Sequence, residues 1–91
     1  MRIAALDDDA LQLDLIKQAT EAMGHVCHTH PSGASLLREL RRETFDLLSV
    51  DWHLPDTTGP EVVRWVRKNV SKQIPILFVT HRQEERDIVE G

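Results

Sequence analysis

Three acids in a row, Asp7, Asp8 and Asp9, close the short apolar run RIAAL, and Asp51 closes the apolar run LLSV. Thr80 ends another such run, PILFV. Runs of this kind belong in buried strands, where a bare terminal carboxylate is costly unless it meets water, a cation or hydrogen-bond donors. Crowded carboxylates repel one another, and one of them is expected to hold a proton unless a cation intervenes. An all-oxygen cluster with few protein ligands suits Mg²⁺, which keeps several waters and accepts one or two carboxylates together with a phosphate oxygen. Such an ion polarises a phosphoryl group and shields its charge from an attacking carboxylate. Asp is a competent nucleophile for forming an aspartyl phosphate, and a Thr hydroxyl can donate a hydrogen bond to a phosphoryl oxygen. If these strand ends meet in space, the chemistry is metal-assisted phosphoryl transfer onto an Asp.

Whether they meet depends on the elements that carry them. Arg2–Leu6 reads as a strand, followed by a helix with Asp8 or Asp9 as its N-cap. That helix is expected to turn Leu11, Leu15, Ile16, Ala19, Ala22 and Met23 inward and to stop at Gly24. HVCHT is a second strand and HPSG a turn, after which Ser32 caps a helix with Ala34, Leu37 and Leu40 inward and Arg38, Arg41 and Arg42 outward. FDLLSV is the third strand. Pro60 suits a first helical turn, with Val62, Val63, Val66 and Val70 on one face behind it. IPILFVT is the fourth strand, and QEERDIVEG begins a fourth helix. Such alternation predicts one α/β domain over residues 1–91, a doubly wound parallel sheet covered on both faces by right-handed crossovers. Ligands bind such sheets beyond the carboxyl ends of the strands, where strand order reverses. If strands one and three are neighbours, Asp7, Asp8 and Asp51 converge there. The local alternative for Asp7–Asp9 is an acidic helix N-terminus that complements the dipole.

The stretches ALDDD, DLLSVDWHLPDTTGPEV and PILFVT, in this order and spacing, resemble the three signatures of the response-regulator receiver domain of two-component signalling. The resemblance spans essentially the whole chain and implies a flavodoxin-like (CheY-like) sheet of order 2-1-3-4. It further implies that Asp51 is the phosphoacceptor, taking its phosphoryl group from a sensor histidine kinase or phosphotransfer protein. Asp7, Asp8, Asp51 and the backbone carbonyl of His53 would hold Mg²⁺, and Thr80 would be the switch hydroxyl. Pro55 and Gly59 match the family's loop, where they would supply a fixed turn and a Cβ-free hinge. Such a module takes part only in its own phosphorylation and dephosphorylation, and is not an enzyme acting on an external substrate. Nucleic acid would be reached only through an output domain.

Two departures from the family stand out. His81 occupies a position that is small in most receivers, which makes it a candidate modulator of access to Asp51. Receivers resemble five βα units, and this chain reads as incomplete before the fifth strand and helix, which normally supply a Lys to the site. Lys17, Lys68 and Lys72 are expected to lie away from that site, and Arg82 falls at the correct edge. The fourth strand would then be an apolar edge, open to a homodimer or a strand swap. Two alternative functions follow from these residues. One is an inert pseudo-receiver that serves as an interaction module. The other is a haloacid-dehalogenase-like phosphohydrolase with Asp7 as nucleophile and Asp9 as acid/base.

Composition bounds the remainder. The 91 residues are 41% hydrophobic and 29% charged, ordinary for a soluble globular domain. No apolar run is long enough for a membrane span, and the acidic N-terminus does not read as a signal peptide. A single cysteine, Cys27, excludes an internal disulfide and fits a reducing cytoplasm. A net charge of −4 argues against nucleic-acid binding by this segment. The HVCHTH run invites a zinc reading, but strand alternation points His25 and Cys27 one way and His28 and His30 the other. RELRRE reads as a solvated helix face, and Trp52 and Trp65 as packing groups or a partner surface. Leu13 falls off the expected apolar face of the first helix and is a candidate for kinase contact.

Overall fold

A computed structural model describes residues 1–79. Strands β1 (Arg2–Leu6), β2 (Val26–His30), β3 (Leu47–Asp51) and β4 (Ile76–Val79) alternate with helices α1 (Ala10–Ala22), α2 (Gly33–Leu40) and α3 (Gly59–Asn69). All strand pairs are parallel and the sheet order is β2-β1-β3-β4. The strand order therefore reverses between β1 and β3, as expected for a doubly wound, CheY-like sheet.

β1 is buried on both faces, which is why it reads as a continuous apolar run rather than an alternation. Ala4 and Leu6 join Leu36 and Leu40 of α2, Leu48 and Val50 of β3, and Val62 and Val66 of α3 in the larger core. Ile3 and Ala5 turn to the opposite face and pack with Leu13 of α1 and Cys27 of β2. α2 and α3 thus cover one face, and α1 covers the other.

The helix ends follow local chemistry. Asp9 is the N-cap of α1 and accepts from the Leu11 and Gln12 N–H groups at 2.9 and 3.4 Å. Gly24, just past that helix, has φ +90°, a backbone state that favours glycine. Ser32 caps α2 through the Ser35 N–H, and Thr58 caps α3 through the Glu61 N–H, with Pro60 in the first turn.

The structure corrects two of the expected helix faces. In α1, Leu13 is the buried residue at 7% exposure, whereas Leu11 and Leu15 are 67% and 55% exposed. The helix touches the sheet along a narrow stripe through Leu13 and Ile16, where small Ala5 and Cys27 leave room for the Leu13 side chain. Leu13 is therefore a core residue and not a surface for kinase contact. In α2, Leu36 is buried where Ala34 was expected, because Ala34 lies exposed in the first turn, where its N–H faces the Asp56 carboxylate. β4 ends the sheet among the described residues, and Leu77 and Phe78 are exposed on it.

Candidate functional site

The last register pair between β1 and β3 is Leu6 with Val50. Asp7 and Asp51 each lie one residue beyond it, on the two sides of the crevice where strand order reverses. Both are nearly inaccessible, at 1% and 4% exposure. Asp8, the next residue after Asp7, is exposed. Each of the three offers a carboxylate oxygen, and these oxygens all lie within 4.8 Å of one another. Sites 44 residues apart in sequence have converged through one strand pairing, as the topology required.

The backbone holds this cluster in place. The Asp7 N–H donates to the His30 carbonyl at 3.1 Å, which extends the β1–β2 ladder by one residue. Asp7 Oδ1 accepts from the Asp9 N–H at 2.9 Å, tying the carboxylate to the turn that starts α1. Asp51 Oδ1 accepts from its neighbour's N–H, that of Trp52, at 2.8 Å. Two nearly buried carboxylates facing an exposed third make a hard oxygen donor set open to water on one side. That set can hold a divalent cation, which relieves the repulsion among the three.

The loop after Asp51 is a closed turn. The Gly59 N–H donates to the Trp52 carbonyl at 2.8 Å, the Leu54 N–H donates to the Thr57 carbonyl at 3.3 Å, and His53 bridges to Thr58. His53 is exposed in this turn, directly after the acceptor strand. Gly59 serves by its size. A Cβ there would lie 2.8 Å from the Asp51 carbonyl oxygen and 2.8 Å from the Phe78 ring. Its φ is not positive, so what this structure shows for it is close packing and not a left-handed backbone. The Trp52 ring packs on Phe78 with centroids 4.9 Å apart.

Asp56 is the residue of this loop that sequence reasoning missed. Its carboxylate accepts from the Gly33 N–H at 3.0 Å and the Ala34 N–H at 3.1 Å, at the N-terminus of α2. Those two N–H groups hold the Asp56 carboxyl below the usual carboxylate range. An Asp in a Leu-Pro-Asp turn signals a capping role, but its partner lies 23 residues away and was not legible.

The remaining candidates are placed as follows. Thr80 and His81, together with Arg82, lie outside the described residues. The Lys17 ammonium pairs with Glu21 at 3.1 Å and reaches the Cys27 carbonyl, away from the carboxylates. Asp9, the acid/base of the hydrolase alternative, is committed to capping α1. In HVCHTH, Cys27 is buried toward α1 while His28 and His30 both bond Glu39, at 2.8 and 2.6 Å. The two histidines are thus taken by α2, and Cys27 faces the other way.

Residues 3–91 match the profile of the response regulator receiver domain. The chain belongs to that family. Among curated relatives, this receiver domain is 30% identical over 93 residues to the chemotaxis protein CheY of Pseudomonas aeruginosa, covering 100% of this chain and 75% of that one. It is 38% identical over 85 residues to the transcriptional regulatory protein AfsQ1 of Streptomyces coelicolor, covering 93% of this chain but 36% of that protein. The first three curated relatives are all longer, and the chain spans 36%, 38% and 40% of their lengths. Among solved structures, the chemotaxis response regulator CheY4 of Vibrio cholerae superposes with a TM-score of 0.87 at 26% identity, over 99% of this receiver domain and 76% of CheY4. The carboxylate crevice thus sits in a receiver fold of two-component signalling. Among the described residues, no helix is long and apolar enough to cross a membrane.

Proposed function

We propose that residues 1–91 form one receiver unit, a phosphoacceptor switch in which Asp51 takes a phosphoryl group from a histidine kinase or phosphotransfer protein. The observation that carries this reading is the meeting of Asp7, Asp8 and Asp51 at the switch point of the sheet. Asp7, Asp8, Asp51 and the His53 carbonyl would hold Mg²⁺, whose part is to neutralise charge between the carboxylates and the incoming phosphoryl group. The protein's own residues do the rest. Asp51 supplies the attacking oxygen, and the Trp52 N–H, which donates to Asp51 Oδ1, steadies the carboxylate. Thr80 is the hydroxyl that would follow the phosphoryl group and shift the balance between two surface conformations. His81, beside it, would set how readily water or a small donor reaches the acyl phosphate.

A cytoplasmic setting suits a chain whose single cysteine, Cys27, is buried and unpaired. Any contact with nucleic acid would pass through an output domain. Self-association would use β4, which ends the described sheet and exposes Leu77 and Phe78. A homodimer or strand swap through β4 would appear as concentration-dependent sedimentation, and a stable monomer throughout would contradict that association.

The function is tested by adding acetyl phosphate and Mg²⁺ and recording the intact mass. A gain of one phosphoryl group that vanishes with EDTA supports the switch. No gain identifies an inert interaction module instead.

A further inference from the structure

The acceptor loop and the carboxylate Asp7 are tied to the same short stretch of chain, the junction between β2 and α2. At its start, the His30 carbonyl accepts from the Asp7 N–H at 3.1 Å. At its end, the Gly33 and Ala34 N–H groups both donate to the Asp56 carboxylate, at 3.0 and 3.1 Å. These two N–H groups belong to the first turn of α2, where backbone donors have no partner within the helix. An anionic oxygen pair is the strongest acceptor for them.

The approach is close as well as bonded. A Cβ on Gly33 would lie 2.6 Å from the Thr57 methyl group and 3.4 Å from Asp56 Oδ1. The loop is therefore pressed against the helix start. Within the loop, the Leu54–Thr57 hydrogen bond and the His53–Thr58 bridge link the turn carrying Asp56 back to His53. Leu54 also packs against the larger core.

We propose that Asp56 is a positioning residue, clamping the acceptor loop to α2 so that the His53 carbonyl is held toward Asp7 and Asp51. This rests on the metal-dependent reading of the site given above. The clamp acts through the loop backbone and touches neither the cation nor the phosphoryl group. It has a corollary. Cation binding fixes the loop from one side, so it must also tighten the Asp56 bonds to Gly33 and Ala34 on the other, because linkage between two such events is reciprocal.

The test is a Mg²⁺ titration followed by intrinsic tryptophan fluorescence, with Trp65→Phe used to isolate the Trp52 signal, in the wild type, Asp56→Asn and Asp56→Ala, together with amide exchange at Gly33 and Ala34. Asn keeps one acceptor oxygen where Asp has two, and Ala keeps none. Mg²⁺ affinity is expected to fall about fivefold in Asp56→Ala, with Asp56→Asn between it and the wild type. Mg²⁺ is expected to slow exchange of both amides in the wild type and to lose that effect in Asp56→Ala. Asp56→Asn carries the comparison if the alanine variant does not fold. Wild-type affinity in the variants, with amide exchange indifferent to Mg²⁺, would overturn the clamp alone. A wild type without any Mg²⁺ response would contradict the proposed function, and the clamp's role with it.

Discussion

Asp7 and Asp51 stand one residue past the pairing of Leu6 with Val50, on opposite sides of the crevice between β1 and β3. Their positions are set by a backbone register and not by loop conformation, so their separation is rigid. That rigidity has consequences for cation binding.

Asp7, Asp8 and Asp51 each place a carboxylate oxygen within 4.8 Å of the other two. Replacing Asp51 by Asn removes one charge at nearly constant shape. The same variant, like Asp7→Asn, should weaken Mg²⁺ binding by about tenfold or more, the scale of one lost charged ligand bond. A variant that keeps the wild-type fold and binds Mg²⁺ more weakly would separate the loss of a ligand from simple damage.

The orientation of α1 gives a sharp contrast within one helix. Leu13 is 7% exposed against Ile3, Ala5 and Cys27, while Leu15 is 55% exposed. Leu13→Ala is expected to cost about 2–3 kcal/mol, and Leu15→Ala less than about 0.5 kcal/mol. Urea unfolding of the two variants checks this. Equal losses would mean that the helix packs through a broader face.

Gly59→Ala places a methyl group against the Asp51 carbonyl oxygen and the Phe78 ring, each 2.8 Å from the new carbon. A backbone atom cannot rotate aside as a side chain can. The substitution is expected to cost about 1–3 kcal/mol and to lower the rate of phosphorylation by acetyl phosphate, because it pushes on the acceptor strand itself. A variant with wild-type stability and rate would show that the strand end yields easily.

A pH effect follows from Glu39. Burial alone would raise its pKa, but hydrogen bonds and charge from His28 and His30 outweigh that and hold it below the ordinary 4.5. A carboxyl whose folded pKa is depressed contributes stability that is present above its unfolded pKa and is lost as pH falls through the folded value. The stability difference between wild type and Glu39→Gln should therefore shrink as the pH drops below about 4.5. Thermal unfolding of both proteins across that range measures the difference. A gap that widens on acidification would assign the histidines, and not Glu39, the controlling role.

These contrasts also show which features are legible in a single sequence. The carboxylate cluster was, because apolar runs mark strand ends and an alternating chain leaves few topologies. Asp7, Asp8 and Asp51 needed only the inference that β1 and β3 are neighbours. The face of α1 was not, because Leu11 and Leu15, four residues apart, share one face that periodicity favours over the opposite side carrying Leu13. Leu13 packs with Ile3, Ala5 and Cys27 instead, and that is a tertiary fact. Asp56 and Glu39 were missed for a related reason. Each acts on a partner brought in by folding, Gly33 and Ala34 for the first, His28 and His30 for the second. The sequence-based expectations for Thr80 and His81 concern residues outside those described.

The central claim, that Asp51 is the acceptor, is tested most directly by trapping the acyl phosphate. The chain is incubated with acetyl phosphate and Mg²⁺, reduced with borohydride, digested and sequenced by mass spectrometry. Reduction converts a phosphorylated Asp into homoserine at the position that carried the phosphoryl group. The account predicts homoserine at position 51 and its loss when Mg²⁺ is withheld. Homoserine at position 7 or 8, or at none of the three, would contradict it.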